Sequence, residues 1–350
     1  MARATLKEVS ELAEVSVATA SLVLSGKSGN RFTEETATRV RDAADQLGYR
    51  ANRLARSLRS QQTRVLGLLS IELLTTPYAG DMIRGAQLAA RARDYDLLVV
   101  EIENSPASIA EGFELLADHQ ADGVLLASYF HNRVDVPTIR PRHLVLADAF
   151  AGSHDVDAFF PDEYASMMQV LDLLGKAGHK HVGYVGDRND YPAVRGREAA
   201  LCDAASKYDW VNIEQNMMRT ADTNSVDGYE SAKVLLERNT ELTAVVAYND
   251  RLAMGIYTAA RELGLAIPSD LSIVSFDDQR LISEALRPGL TTVALPHLEM
   301  GRLAVEKLIE LVESDEQNTP AEVAIIGDLV VRGSVAPPNG HRTASKLGQS

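Results

Sequence analysis

Two different rhythms of apolar residues divide this chain. Up to about residue 50 the apolar positions are small and helically spaced. Leu6, Val9, Leu12 and Ala13 form one stripe, Ala20, Val23 and Leu24 a second, and Val40, Ala43, Ala44 and Leu47 a third. Thr5 with Glu8 three residues on reads as a capping box, Ser16 can cap the second helix, and Thr33-Glu34-Glu35 opens the third with acids at its positive end. Gly48 suits a helix stop. Two short helices joined by a tight turn and backed by a third suit a helix-turn-helix, whose second helix enters the DNA major groove.

Beyond Gln61-Gln62-Thr63 the pattern changes to short apolar runs alternating with helical stretches. Strands are predicted at 65–71, 97–102, 123–127 and 143–147, then at 182–185, 244–247 and 272–276. Helices are predicted at 79–93, 108–118, 164–174, 194–206, 226–237, 250–263 and 298–312. Such alternation means parallel sheets covered by helices. Two series fit two lobes, with chain crossings near 159–161 and 291–296, so the fold class is α/β: an N-terminal three-helix helix-turn-helix head plus a two-lobed body.

Charge sharpens the division. The 350-residue chain carries −14, yet residues 1–64 hold eleven Lys/Arg against seven acids, about +4, which leaves about −18 for the rest. A basic head on an acidic body directs nucleic acid to the head. Cys202 is the lone cysteine, so no intrachain disulfide and no cysteine metal cage can form. No run reaches the ~20 apolar residues that span a bilayer and no secretory h-region opens the chain, so a cytoplasmic protein without a membrane partner is expected. His179 and His181 form an H-x-H without an acid at metal spacing and read as a loop entering a strand. Walker, G-x-G-x-x-G and G-x-S-x-G motifs are lacking. No catalytic set, metal or cofactor is therefore expected.

Five stretches, Thr5-Leu6-Lys7-Glu8-Val9, Val15 to Thr19, Thr33 to Thr36, Leu47-Gly48-Tyr49 and Ala55 to Arg59, together resemble the lactose/galactose-repressor (LacI/GalR) family of bacterial transcription regulators. The resemblance continues through Lys176 to Val182, Tyr248 to Gly255, Ile267 to Asp278, Pro288 to Val293 and Leu329 to Ser334. It implies a periplasmic-binding-protein-like body at 64–336, a DNA-binding domain at 1–50 and a hinge helix and linker at 51–63. Residues 337–350, rich in Pro, Gly, Ser and charge, read as a disordered tail. It further implies that Val17, Ala18 and Leu22 face base edges and that Thr5, Ser16, Thr19 and Ser21 meet phosphates, with Arg31 at the groove edge. Asn52 to Arg59 would be the hinge, pressing Leu58 into the minor groove when two copies pair on double-stranded operator DNA. The chain departs from the family at Leu22, which cannot make the bidentate pair that Arg makes with guanine. It departs also at Ala51, where proline is usual, and at Ala200, where glycine is frequent. Glu14 stands in place of a turn glycine, which the turn tolerates only if it avoids positive φ.

In open α/β sheets ligands sit beyond the carboxyl ends of the strands. Asp148, Arg197, Asn249, Asp250 and Asp277 fall at strand ends or at the helix starts after them. Carboxylates, an amide and a guanidinium on one cleft suit a polyhydroxyl effector such as a sugar. The resemblance places Arg197, Asn249 and Asp277 at the effector and Tyr78 as a wall, while Asp250 reads as a helix cap. The expected protein is a homodimeric, ligand-responsive regulator, most relatives being repressors. A transport solute-binding protein, a cleft enzyme, and a regulator answering to a nucleobase or a protein are the alternatives.

Overall fold

The computed structural model describes residues 4–24, 31–49, 62–153, 155–314 and 319–339. It divides into two compact units, residues 1–63 and 64–350. Positions 51–61, which include the expected hinge residues Asn52, Leu58 and Arg59, lie outside the described residues, as do 340–350.

The first unit contains α1 (Leu6–Leu12), α2 (Val17–Leu24) and α3 (Glu34–Gln46). Thr5 and Glu8 close the capping box: the Thr5 hydroxyl accepts the Glu8 N–H, and the Glu8 carboxylate accepts the Thr5 N–H at 2.6 Å. Thr33 caps α3 by accepting the Thr36 N–H. The core is Val9, Ala13, Ala20, Val23, Ala37, Val40, Ala43 and Ala44, five of the eight being alanines that let three short helices approach closely. Leu12 and Leu47 were expected inside but are 45% and 37% exposed. Val9 and Ala13, one turn apart, define the buried face of α1, which puts Leu12 on its flank; Leu47 is already the cap of α3. Glu14 does adopt positive φ, at 54°, so the turn keeps the geometry glycine would favour and strains a glutamate instead.

The second unit is built from two six-stranded sheets. The first lobe holds β1 (Val65–Ile71), β2 (Asp96–Ile102), β3 (Gly123–Val134), β4 (Leu144–Ala151) and β5 (Asp157–Pro161), with α4 (Ala79–Ala92) and α5 (Pro106–Asp118). The chain then enters the second lobe as α6 (Glu163–Ala177), β6 (Val182–Asp187), α7 (Pro192–Tyr208), β7 (Met217–Thr220), α8 (Ser225–Arg238), β8 (Ala244–Ala247), α9 (Asp250–Glu262), β9 (Ser272–Phe276), α10 (Arg280–Ser283) and β10 (Thr291–Ala294). Next α11 (His297–Glu313) and β11 (Glu322–Ile325) return to the first lobe, and β12 (Asp328–Val330) ends in the second.

Strand order is β11-β5-β4-β3-β1-β2 in one sheet and β12-β10-β9-β8-β6-β7 in the other, and among the described strands only β12 is antiparallel. Strands such as β1, apolar on both faces and almost wholly buried, fit sheets covered on both sides. Each lobe also has a glycine-mediated helix crossing. A Cβ on Gly301 of α11 would lie 2.0 Å from the Met82 carbonyl of α4, and one on Gly255 of α9 would lie 2.2 Å from the Ser225 carbonyl of α8.

The two expected chain crossings follow β5 and β10, so the segments foreseen as joints are themselves strands. A third crossing, between β11 and β12, was not foreseen. Gly327 at that point donates to Ser166 Oγ and accepts from Gln169 Nε2, both on α6. Of the tail, Pro337 to Asn339 are described, and Asn339 donates to the Ser269 carbonyl.

Candidate functional site

In the first unit five of the residues expected at DNA, Val17, Ala18, Thr19, Ser21 and Leu22, lie on α2, and Ser16 immediately precedes it. Val17, 47% exposed, and Ala18 present an open apolar surface on its first turn. Ser16 accepts the Thr19 N–H and its hydroxyl bonds that of Thr19 at 2.8 Å. Thr19, Ser21 and Leu22 are half-buried on the flank, Thr5 is exposed at the N-terminus of α1, and Arg31 is exposed. An exposed helix start with unoccupied apolar side chains and hydroxyls beside it is what groove entry requires.

In the second unit the sequence scattered Tyr78, Asp148, Arg197, Asn249 and Asp277 over 200 positions. The structure brings all five to one closed chamber between the lobes, joined there by Glu163, Tyr248, Arg251 and His297. Asp148 comes from β4 of the first lobe. Arg197 projects from α7, and Asn249 and Asp277 follow β8 and β9. The chamber holds about 10 Å³, room for roughly one water.

Arg197 is the centre of this chamber. Only 2% exposed, it donates from Nε to Glu163 at 2.6 Å and from Nη1 to the Tyr248 carbonyl at 2.6 Å. Its guanidinium lies over the rings of Phe276, at 3.9 Å, and Tyr248, at 4.5 Å. Burial works against its charge, but the Glu163 carboxylate together with Tyr248 and Tyr184 raises its pKa overall.

Burial pushes the Asp148 carboxyl up to about 7, against the hydrogen bond it accepts from the His131 N–H at 2.7 Å. Burial likewise lifts Asp277 to about 6, opposed by Arg197. His297, buried and stacked on Tyr78 with ring centroids 4.3 Å apart, is pushed down to about 3 and stays neutral. Asp148 and Asp277 both hold positive φ, 50° and 102°. Non-glycine residues keep such conformations where the surroundings over-determine them, and they gather at ligand clamps.

Asn249 and Asp250 exchange their expected roles in part. Asn249 is the N-cap of α9: its amide oxygen accepts the Leu252 N–H, and its Nδ2 donates to the Thr223 carbonyl. Asp250 is not the cap. Its fully buried carboxylate accepts from Ser275 Oγ, Thr292 Oγ1 and the Gln279 N–H, tying α9 to β9 and β10, and burial lifts its pKa to about 7. His179 pins its loop by bonding Thr243 Oγ1 and the Ala336 carbonyl, as a structural histidine would.

Glu163, His297 and Phe130 were not foreseen. Glu163 opens α6 immediately after the first crossing, and an acid in a first helical turn reads from sequence as a dipole partner. Phe130, at positive φ where β3 slips register, crosses to the second lobe, where its ring lies 5.2 Å from that of Tyr191 and 6.2 Å from that of Tyr248. Phe130, Tyr78 and Arg251 also line a second, open crevice of about 570 Å³, with Glu72, Glu101, Glu103 and Tyr129.

Residues 5–52 match the bacterial regulatory protein, lacI family, model, and residues 171–335 match a periplasmic binding protein-like domain. The chain thus joins a lacI-type DNA-binding domain to a periplasmic-binding-protein-like domain. It is a DNA-binding, ligand-responsive transcriptional regulator and not an enzyme. Among curated relatives, the HTH-type transcriptional regulator AscG of Escherichia coli K12 is 27% identical over 340 residues, covering 96% of this chain and 99% of that protein. The ribose operon repressor of Haemophilus influenzae is 27% identical over 319 residues, covering 90% and 94%. Among solved structures, the lac repressor dimer bound to operator and the anti-inducer ONPF superposes with a TM-score of 0.73 at 20% identity, covering 96% and 100%. The regulator CelR in complex with cellobiose gives 0.65 at 24%, covering 95% and 100%. The chain thus shares its fold along nearly its full length with regulators solved on DNA and on a sugar.

Proposed function

We propose that this regulator works in the cytoplasm as a homodimer that represses from a pseudo-palindromic operator and answers to a carbohydrate effector bound between its lobes. The observation that carries the reading is the chamber itself, where Asp148 of the first lobe faces Arg197, Asn249 and Asp277 of the second. Carboxylates and a guanidinium can each hold vicinal hydroxyls, and Tyr78 stacked on His297 offers a flat face to a sugar ring. Sugar-named and sugar-bound relatives support the same class. Val17, Ala18 and Leu22 read base edges, Thr5, Ser16, Thr19, Ser21 and Arg31 meet the backbone, and Asn52, Leu58 and Arg59 act from the hinge. A ligand that favours one lobe arrangement shifts the pairing of the two hinges, so effector and DNA affinities are coupled reciprocally.

The test is capture of genomic DNA fragments by the purified protein at fixed, near-physiological salt, with and without a panel of sugars. Enrichment of one palindromic motif, lost or gained with a single sugar, is the expected result. Salt-sensitive binding to bulk DNA without a motif would sink the operator reading.

A further inference from the structure

The closed chamber has no room for a ligand, whereas the crevice beside it, at about 570 Å³, lies within the ~300–1,000 Å³ of small-molecule sites. The two share Tyr78, Phe130 and Arg251, so a ligand reaching Arg197 and Asp277 as the lobes part extends into the crevice. Among the described residues, the hydroxyl of Tyr248, a chamber-lining residue 2% exposed, has no hydrogen-bond partner, and neither has the buried Nε of Arg251. Buried polar atoms left in this way mark places where a ligand completes the bonding.

The crevice has a chemistry of its own. Glu72 follows β1, and Glu101 and Glu103 lie at the end of β2, while Tyr78, Tyr129 and Phe130 supply three aromatic rings. Tyr129 donates to Glu72 at 3.0 Å, its ring lies edge-on to Phe130 at 5.0 Å, and Glu101 accepts the Leu74 N–H, so wall and rim are tied together. In the crevice three carboxyls, Glu72, Glu101 and Glu103, face one guanidinium, Arg251. A neutral polyol leaves that excess of negative charge uncompensated. An ammonium group is attracted both by carboxylates and by aromatic faces, and the crevice presents the two together.

We infer that the effector is an amine-bearing sugar of more than one ring, its polyol end in the chamber and its protonated amine in the crevice among Glu72, Glu101, Glu103 and the three aromatic rings. This rests on the carbohydrate reading of the chamber and names the ligand class more narrowly.

The experiment is calorimetric titration of the full chain at pH 7.5 with a panel of hexose disaccharides, each paired with its 2-amino counterpart, such as cellobiose against de-acetylated chitobiose. The amine member of the recognised pair binds about tenfold tighter or more. The double substitution E101Q/E103Q removes most of that advantage, weakening the amine member about tenfold and the hydroxyl member far less, with far-UV circular dichroism confirming the fold. If the hydroxyl member binds as tightly, the amine inference falls and the sugar reading stands. If the amine advantage survives E101Q/E103Q, its placement in the crevice falls. If no pair binds, the sugar reading falls with it.

Discussion

Arg197 and Glu163 form an ion pair at 2.6 Å with both side chains withdrawn from solvent, 2% and 7% exposed. Arg197 belongs to the middle of the second lobe, on α7. Glu163 is the first residue of α6, where the chain has just left the first lobe. The pair therefore fastens a crossing segment to the floor of the chamber.

Removing one partner leaves the other charge buried. Glu163→Ala is expected to lower the stability of the body by roughly 3–5 kcal/mol, whereas the double substitution Glu163→Leu with Arg197→Met recovers much of the loss. Thermal unfolding of the three proteins checks this. Equal melting temperatures for the single and double variants would contradict it. The double variant is also expected to lose its effector response while keeping operator DNA in a gel shift, since the head is a separate unit.

The chamber gives stability a pH signature. The folded pKa of Asp148, about 7, lies above its ordinary carboxylate value, so the native state holds the proton more tightly than the unfolded one. Its contribution is complete below about pH 4 and is lost as pH rises through about 7. His131, pushed down by burial to about 4, acts in the opposite sense and weakens the fold as pH falls below about 6.5. Asp148→Asn removes only the first contribution. Urea unfolding from pH 5 to pH 8 should show the variant gaining on the wild type as pH rises, and parallel curves would refute the assignment.

Glu14 at φ 54° is a strained non-glycine residue in the turn between α1 and α2. Glu14→Gly is expected to stabilise the head by about 0.5–1 kcal/mol, after the greater freedom of glycine in the unfolded chain is set against the strain relieved. The check is the melting temperature of an isolated transition for the head. A decrease would mean that the turn holds Glu14 without strain.

Val17 separates folding from recognition. Because it is 47% exposed, Val17→Asp should change stability by no more than about 0.5 kcal/mol. A carboxylate facing base edges and phosphates should nevertheless abolish specific operator binding. Undiminished affinity of a folded variant in a gel-shift titration would remove Val17 from the recognition surface.

The sequence by itself determined the elements whose physics is local. Thr5 and Glu8 are three residues apart, so their capping box is written in the chain, and β1, β8 and β9 are apolar runs whose limits appear as expected. It also supplied the chamber's chemistry, because strand ends in an α/β sheet are identifiable wherever the strands are. The tertiary structure decided what depends on who meets whom. β11 and β12 have four and three residues and exist only through pairing with β5 and β10, so the third crossing carried no periodic signal. Glu163 was indistinguishable from any acid in a first helical turn until Arg197 was placed 2.6 Å away. Asn249 and Asp250 are adjacent acceptors of similar shape, and which one caps the helix was settled by Ser275 and Thr292 arriving around Asp250. Phe130 became part of the cleft only because β3 slips register and swings it onto the opposite lobe. Local propensity and spacing fix elements; burial and pairing between segments distant in the chain assign each polar side chain its partner.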